Sequence, residues 1–148
     1  MKSGAAMLVL RPDQIAAAMD LSPLPQTFAE LDALVAEGIP KAALRAIVSR
    51  VALHSEQAVT LLYRIVPEGT FKRRKDVLSA EESERTERLA RVYATAVHVL
   101  ESEEDARGFL HAAHPMLENR SPLDVALTEI GAQRVERLLW ATYFGLPA

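Results

Sequence analysis

Wherever the apolar residues of this chain gather into runs long enough for a regular element, they recur at intervals of three and four, with hydroxyl residues, prolines and glycines at the ends. That spacing places apolar side chains on one side of a helix, whereas a half-buried strand needs strict alternation. Phe28, Leu31, Leu34 and Val35 line one such face, which Gly38 can terminate; Leu44, Ile47, Val48 and Val51 line the next, opened by Pro40. Ala58, Leu61, Leu62 and Ile65 define a helix from Glu56 to about Val66, with Ser55 as its cap. Ser79 followed by Glu82 forms a capping box for a longer helix reaching Leu100, whose apolar stripe is Leu89, Val92, Tyr93, Ala96, Val97 and Leu100. Its opposite side carries Glu81, Glu82, Glu84, Arg85, Glu87, Arg88 and Arg91, a solvated face with pairs at the i, i+4 spacing.

Ser102 caps a helix from Glu103 to His111, and Pro115 forces an extended segment after it. Ser121-Pro122 opens a helix through Leu127, and Gly131 separates it from a last helix carrying Val135, Leu138, Leu139 and Tyr143, stopped by Gly145. Alternating polarity is missing, and Met7 to Leu10 is too short and isolated for a sheet. The fold class is therefore all-α. Pro12, Pro23 and Pro25 break the first residues, so 1–27 reads as a loosely ordered arm with at most a short helix from Asp13 to Met19. Residues 28–78 then form one small helical bundle, and the capping box at Ser79 begins a second helical domain, 79–148.

With 148 residues, 49% of them hydrophobic, the chain can bury a substantial core. It has no cysteine, which excludes disulfides, thiolate metal sites and cysteine nucleophiles. No segment approaches the ~20 apolar residues of a membrane span, and Gly4 to Leu10 lacks the flanks of a signal peptide, so a soluble cytoplasmic protein without a membrane partner is expected. Charge is uneven: residues 1–80 hold ten Lys/Arg and eight Asp/Glu, residues 81–148 seven and twelve. The acidic half suits a protein partner bearing positive charge, and nucleic acid is attracted only to the first half.

That attraction concentrates at Thr70-Phe71-Lys72-Arg73-Arg74-Lys75, four cations in six residues. The strip follows the helix ending near Val66 and a turn at Pro67-Glu68-Gly69, and a second helix begins near Thr70, with its hydroxyl at the start. Helix, tight turn and basic second helix is the order of a helix-turn-helix, in which the second helix enters the major groove. Thr70, Lys72, Arg73, Arg74 and Lys75 are the predicted DNA contacts, with Arg73 or Arg74 reading a guanine edge. Short basic runs also occur as plain solvated helix faces. One such module buries little DNA surface, so self-association through apolar residues between Phe28 and Val51, or of the long helix, is expected.

Catalytic readings find less in the sequence. His111, His114 and Glu118 lie near one helix end, but nothing fixes a further metal ligand. His54 and His98 have no recognisable catalytic companions, and no glycine-rich phosphate loop occurs. The chain is expected to be neither an enzyme nor the holder of a metal or cofactor. Trp140 is assigned to the core, and Tyr143 and Phe144 to core or interface alike.

Thr70, Arg73, Arg74, Leu78-Ser79, Glu82-Ser83, Arg85, Leu89-Ala90-Arg91, Ala106, Leu110, Leu117, Ser121-Pro122-Leu123, Gly131, Val135, Leu138 and Tyr143-Phe144-Gly145 stand in an order that resembles the Xre/MbcA/ParS-type antitoxins. The resemblance is specific from Thr70 onward and weaker from Phe28 to Gly69. Phe71 replaces a more usual leucine, and Phe109 a frequent tryptophan; both keep an apolar residue. The resemblance implies an N-terminal helix-turn-helix of Xre/Cro type for operator DNA and a C-terminal domain that binds and blocks a RES-domain toxin, which degrades NAD. Carried onto this sequence, toxin contact falls on Arg120, Ser121 and Pro122 and on Tyr143, Phe144, Gly145, Leu146, Pro147 and Ala148. Leu146 and Pro147 either fill apolar surface in the toxin cleft, with the Ala148 carboxylate facing cations there, or fold back on the last helix as part of its cap. Autoregulation of the operon, a homodimer and a hetero-oligomer with the toxin follow from the same resemblance. The other reading is a stand-alone helix-turn-helix regulator whose C-terminal helices dimerise or sense a ligand.

Overall fold

The computed structural model describes residues 10–145. Its elements are α1 (Pro12–Ala18), α2 (Phe28–Glu37), α3 (Lys41–Val51), α4 (Ser55–Ile65), α5 (Glu68–Arg73), α6 (Ala80–Leu100), α7 (Glu103–His111), a 3-10 turn (Pro115–Leu117), α8 (Pro122–Val125) and α9 (Glu129–Tyr143). Among the described residues there is no strand, only two isolated bridges, Pro40 to Val77 and His114 to Arg120.

Helix starts follow local chemistry. Thr27, Ser79, Ser102, Ser121 and Thr128 each accept a backbone N–H from three residues ahead, and the Ser79–Glu82 capping box forms as the sequence predicts. Three α-helix starts and the 3-10 turn differ from expectation. His54, not Ser55, caps α4, its Nδ1 accepting from Gln57 N–H at 3.3 Å. Thr70 lies inside α5, which begins at Glu68 behind Pro67. Gly131 does not separate the last two helices; it sits in the first turn of α9, where a Cβ would come within 1.7 Å of the Val125 carbonyl oxygen. Only a residue without a side chain lets α8 and α9 meet this closely. Pro115 opens the 3-10 turn instead of an extended segment.

One helix organises the packing. α6 touches α1, α2, α3, α4, α7 and α9, and its Leu89, Ala90, Val92, Tyr93, Ala94 and Ala96 are buried. Leu44, Ile47, Val48 and Val51 of α3 join the same core. The buried apolar residues from Leu10 to Leu139 form a single cluster, so the start of a second domain at residue 79 marks the beginning of a shared helix.

Over the described part of 1–27 the short helix expected between Asp13 and Met19 forms, as α1, but it is packed into the core and not loosely ordered. α1 begins with proline and is closed by Gln14 Oε1, which accepts from Arg11 N–H at 2.8 Å. Ile15 and Met19 are each 1% exposed, and α1 lies against α6. The prolines there flank the helix without breaking it. Phe28 moves the other way: assigned to the buried face of α2, it is 48% exposed, while Leu31 and Val35 carry the burial. Replacing Ile15 by alanine should therefore lower unfolding free energy by about 2–4 kcal/mol, as for other aliphatic core truncations. Urea denaturation followed by circular dichroism measures it, and a loss within 0.5 kcal/mol would return the segment to the status of an arm.

Candidate functional site

α4 and α5 meet at Val66-Pro67, and the sequence keeps the second helix short. It spans six residues, ending at Arg73, and so short a helix depends on tertiary packing. Phe71 supplies that packing. Its buried ring meets Tyr63 of α4 edge-on, centroids 6.3 Å apart, while Lys41 Nζ lies 4.3 Å and the Arg45 guanidinium 4.9 Å from its centroid. Cation–π attraction of this kind pins α3 to α5 and brings Lys41 and Arg45 beside the basic strip. Sequence reasoning missed both; the available signal was their four-residue spacing on the polar side of α3.

The structure divides the strip. Lys72 pairs with Glu68 at 2.6 Å, and Arg73 donates to Thr70 Oγ1 at 3.2 Å; Lys72, Arg73 and Lys75 are exposed. Arg74 lies beyond the helix and turns inward, its Nε and Nη2 each 3.0 Å from a Glu82 carboxylate oxygen. Glu82, placed by its sequence position on the solvated face of α6, is only 3% exposed, because Arg74 and the Ser79 N–H, which donates at 2.8 Å, satisfy it. A bidentate guanidinium–carboxylate pair fixes orientation as well as distance. The Arg74 hydrogen bonds hold the Glu82 carboxyl below its ordinary range. Lys41 Nζ donates to the Arg74 carbonyl at 3.0 Å, Lys41 N–H to Asp76 at 2.8 Å, and Leu78 N–H to Ile39 at 2.9 Å. The stretch after α5 is thus laced to the turn between α2 and α3, and Arg74, expected as a base reader, anchors it.

The C-terminal residues fall into two groups toward opposite ends of α9. Arg120 is exposed, Ser121 Oγ accepts from Asp124 N–H at 3.2 Å as the cap of α8, and Pro122 is buried at its first position. Ser121 and Pro122 therefore shape this surface, and Arg120 faces outward. At the far end Tyr143, Phe144 and the half-buried Trp140 cluster edge to edge, with the His98 ring 5.7 Å from Trp140 and 5.6 Å from Tyr143. Phe144 is exposed, and Gly145 takes a left-handed φ of 66°. Leu146, Pro147 and Ala148 lie outside the described residues.

Polar contacts tie the two surfaces to one frame. Arg64 of α4 donates to Asp124 of α8 at 2.8 Å, and His111 Nε2 is 2.9 Å from the Val51 carbonyl. Arg91 of α6 meets Glu87, Glu129 and Glu136 at 3.1, 3.4 and 3.0 Å, and burial pushes the Glu87 and Glu136 carboxyls up. Among the described residues no group of three His, Asp or Glu side chains is placed to hold a metal ion, and no helix is long and apolar enough to cross a membrane.

A compact helix-turn-helix with a cationic second helix, continued by a helical domain on the same core, defines an all-α protein with a DNA-binding class of N-terminal unit. Residues 30–91 match the family described as the antitoxin Xre-like helix-turn-helix domain, and residues 95–145 that described as the antitoxin Xre/MbcA/ParS C-terminal toxin-binding domain. The two matched spans follow one another within α6. No match was found among curated proteins.

The Arg74–Glu82 pair gives a test with a defined sign. Because the folded carboxyl titrates below its ordinary value of 4.5, its contribution to stability is complete above that value and is lost as pH falls through the lower folded one. Glu82→Gln should cost about 1–3 kcal/mol at pH 7, and the gap from wild type should close progressively below about pH 4.5. Urea unfolding at a series of pH values checks both; a gap independent of pH would contradict the assignment.

Proposed function

We propose that this chain neutralises a RES-domain toxin that degrades NAD, by blocking its active site, and represses its own operon as a homodimer bound to promoter DNA. One observation carries the reading: a helix-turn-helix with exposed Lys72, Arg73 and Lys75 shares a single core with a domain matching the toxin-binding part of antitoxins. The ordered residues that resemble the antitoxins, and the acidic balance of residues 81–148, support a toxin whose pocket is built for an anionic nucleotide.

Lys72, Arg73 and Lys75, with Arg45 and Lys41 from α3, supply the cationic face of operator contact, and Thr70 supports it by orienting Arg73. Of the apolar residues the sequence offered for a dimer contact, burial removes most and leaves Phe28. Leu44, Ile47, Val48 and Val51 of α3 and the apolar stripe of α6 through Ala96 are consumed by the core, leaving the exposed Phe28, Leu53 and Val59. Toxin contact centres on Tyr143, Phe144 and Gly145 and continues into Leu146, Pro147 and Ala148; Arg120 supplies a second contact at the other end of α9, where Ser121 and Pro122 shape the surface.

Two measurements test the reading. A dimer that neutralises about six phosphates should lose promoter affinity with a slope of roughly −5 in log affinity against log salt, and replacing Lys72, Arg73 and Lys75 by alanine should flatten that slope. Unchanged binding after the triple replacement would remove α5 from DNA. For the toxin, deletion of residues 145–148 should leave a folded, DNA-binding protein that no longer suppresses NAD consumption by a co-expressed RES-domain toxin; full suppression by the shortened chain would refute the C-terminal contact.

A further inference from the structure

Two features of α5 serve neither its packing nor its positive charge. The outward stripe of the helix is Glu68, Gly69, Lys72 and Arg73, since Phe71 is buried, Thr70 half-buried and Arg74 turned toward Glu82. Glu68 puts a carboxylate at the start of the cationic face, against Lys72. Its pair with Lys72 is exposed, 56% on the glutamate side and 65% on the lysine side, and such pairs add little stability. Against phosphate it is unfavourable, because it cancels one of the charges that nonspecific DNA binding uses. Gly69 is the second feature. A Cβ built there would meet only Arg73 Nη1, at an ordinary 3.5 Å, so alanine would fit and would favour the helix.

We infer that Glu68 is a specificity-determining residue of the DNA face, accepting a hydrogen bond from the exocyclic amino group of a cytosine, with Gly69 left bare so that the base edge can approach. This rests on α5 lying in the major groove. Base-edge chemistry selects the partner: guanine and thymine present acceptors there, and adenine sets an acceptor beside its amino group, so only cytosine offers a carboxylate a donor without an adjoining repulsion. Lys72 Nζ, 2.6 Å from Glu68 Oε2, fixes the carboxylate and leaves Oε1 to the base. A carboxylate on this face lowers affinity for every sequence while raising it for one, which is how discrimination is gained by penalising the wrong partner.

The experiment selects bound sequences from a randomised duplex library with the full-length chain and its Glu68→Ala, Glu68→Gln, Gly69→Ala and Arg73→Ala/Lys75→Ala variants. Wild type should enrich cytosine at one position by about tenfold or more. Glu68→Ala should lose that enrichment and bind the unselected pool several-fold more tightly, and Glu68→Gln should shift the position toward adenine, the base an amide reads. Gly69→Ala should melt at a higher temperature yet bind selected duplexes less tightly. If Arg73→Ala/Lys75→Ala weakens binding while Glu68→Ala keeps the wild-type base preferences, the inference is overturned and α5 stays on DNA. If wild type enriches no duplex, or the double variant binds as well as wild type, the placement of α5 fails and the inference with it.

Discussion

The burial of α6 is the constraint on which everything else in this fold rests. A helix of 21 residues spans about 30 Å, and this one presents apolar side chains to neighbours drawn from both ends of the chain. Small residues make that possible: Ala90, Ala94 and Ala96 let adjacent helices come close, while Leu89, Val92 and Tyr93 fill the volume between them. Burial on several sides would strand polar atoms, so the buried hydroxyls are given partners. Ser83 Oγ accepts from Ile39 N–H at 2.9 Å, and Thr86 and Thr95 donate to carbonyls one turn back at 2.8 Å. α6 is thus the element against which both candidate surfaces take their positions.

Within the basic strip, burial decides what each cation does. Arg74 faces a carboxylate whose side chain is only 4% exposed, and losing either partner would leave the other's hydrogen bonds unmade. Arg73 and Lys75 sit in water and keep their charge available to a polyanion, while the equally exposed Lys72 shares its charge with Glu68. A run of four like charges is therefore two functional groups: one residue spent on fixing the end of a short helix, and three facing outward.

Most helix starts were legible in the sequence because a cap is a local event. Ser79, Ser102 and Ser121 capture an N–H three residues away, and nothing distant alters that. Misreadings came where the deciding contact is remote. Gly131 looks like a helix breaker until the Val125 carbonyl is seen against it, and Pro12 looks disruptive until Ile15 is seen against the core. The site divides the same way. The helix-turn-helix order and the cationic strip can be read from spacing, but the inward turn of Arg74 depends on a buried glutamate eight residues on, and Lys41 and Arg45 reach the strip only through the Phe71 ring. Where toxin contact was expected, Ser121 and Pro122 are explained by the start of α8, while Tyr143 and Phe144 belong to an aromatic cluster that includes His98.

The two matched spans, ending at Arg91 and beginning at Thr95, meet inside an unbroken helix with no linker between them. Cutting the chain at that join requires opening α6, and opening α6 withdraws the surface on which α1, α2, α3, α7 and α9 rest. A protease working there cannot release one working half and leave the other. The protein's turnover is in this respect a single event, and the capacities resting on either side of the join have one lifetime.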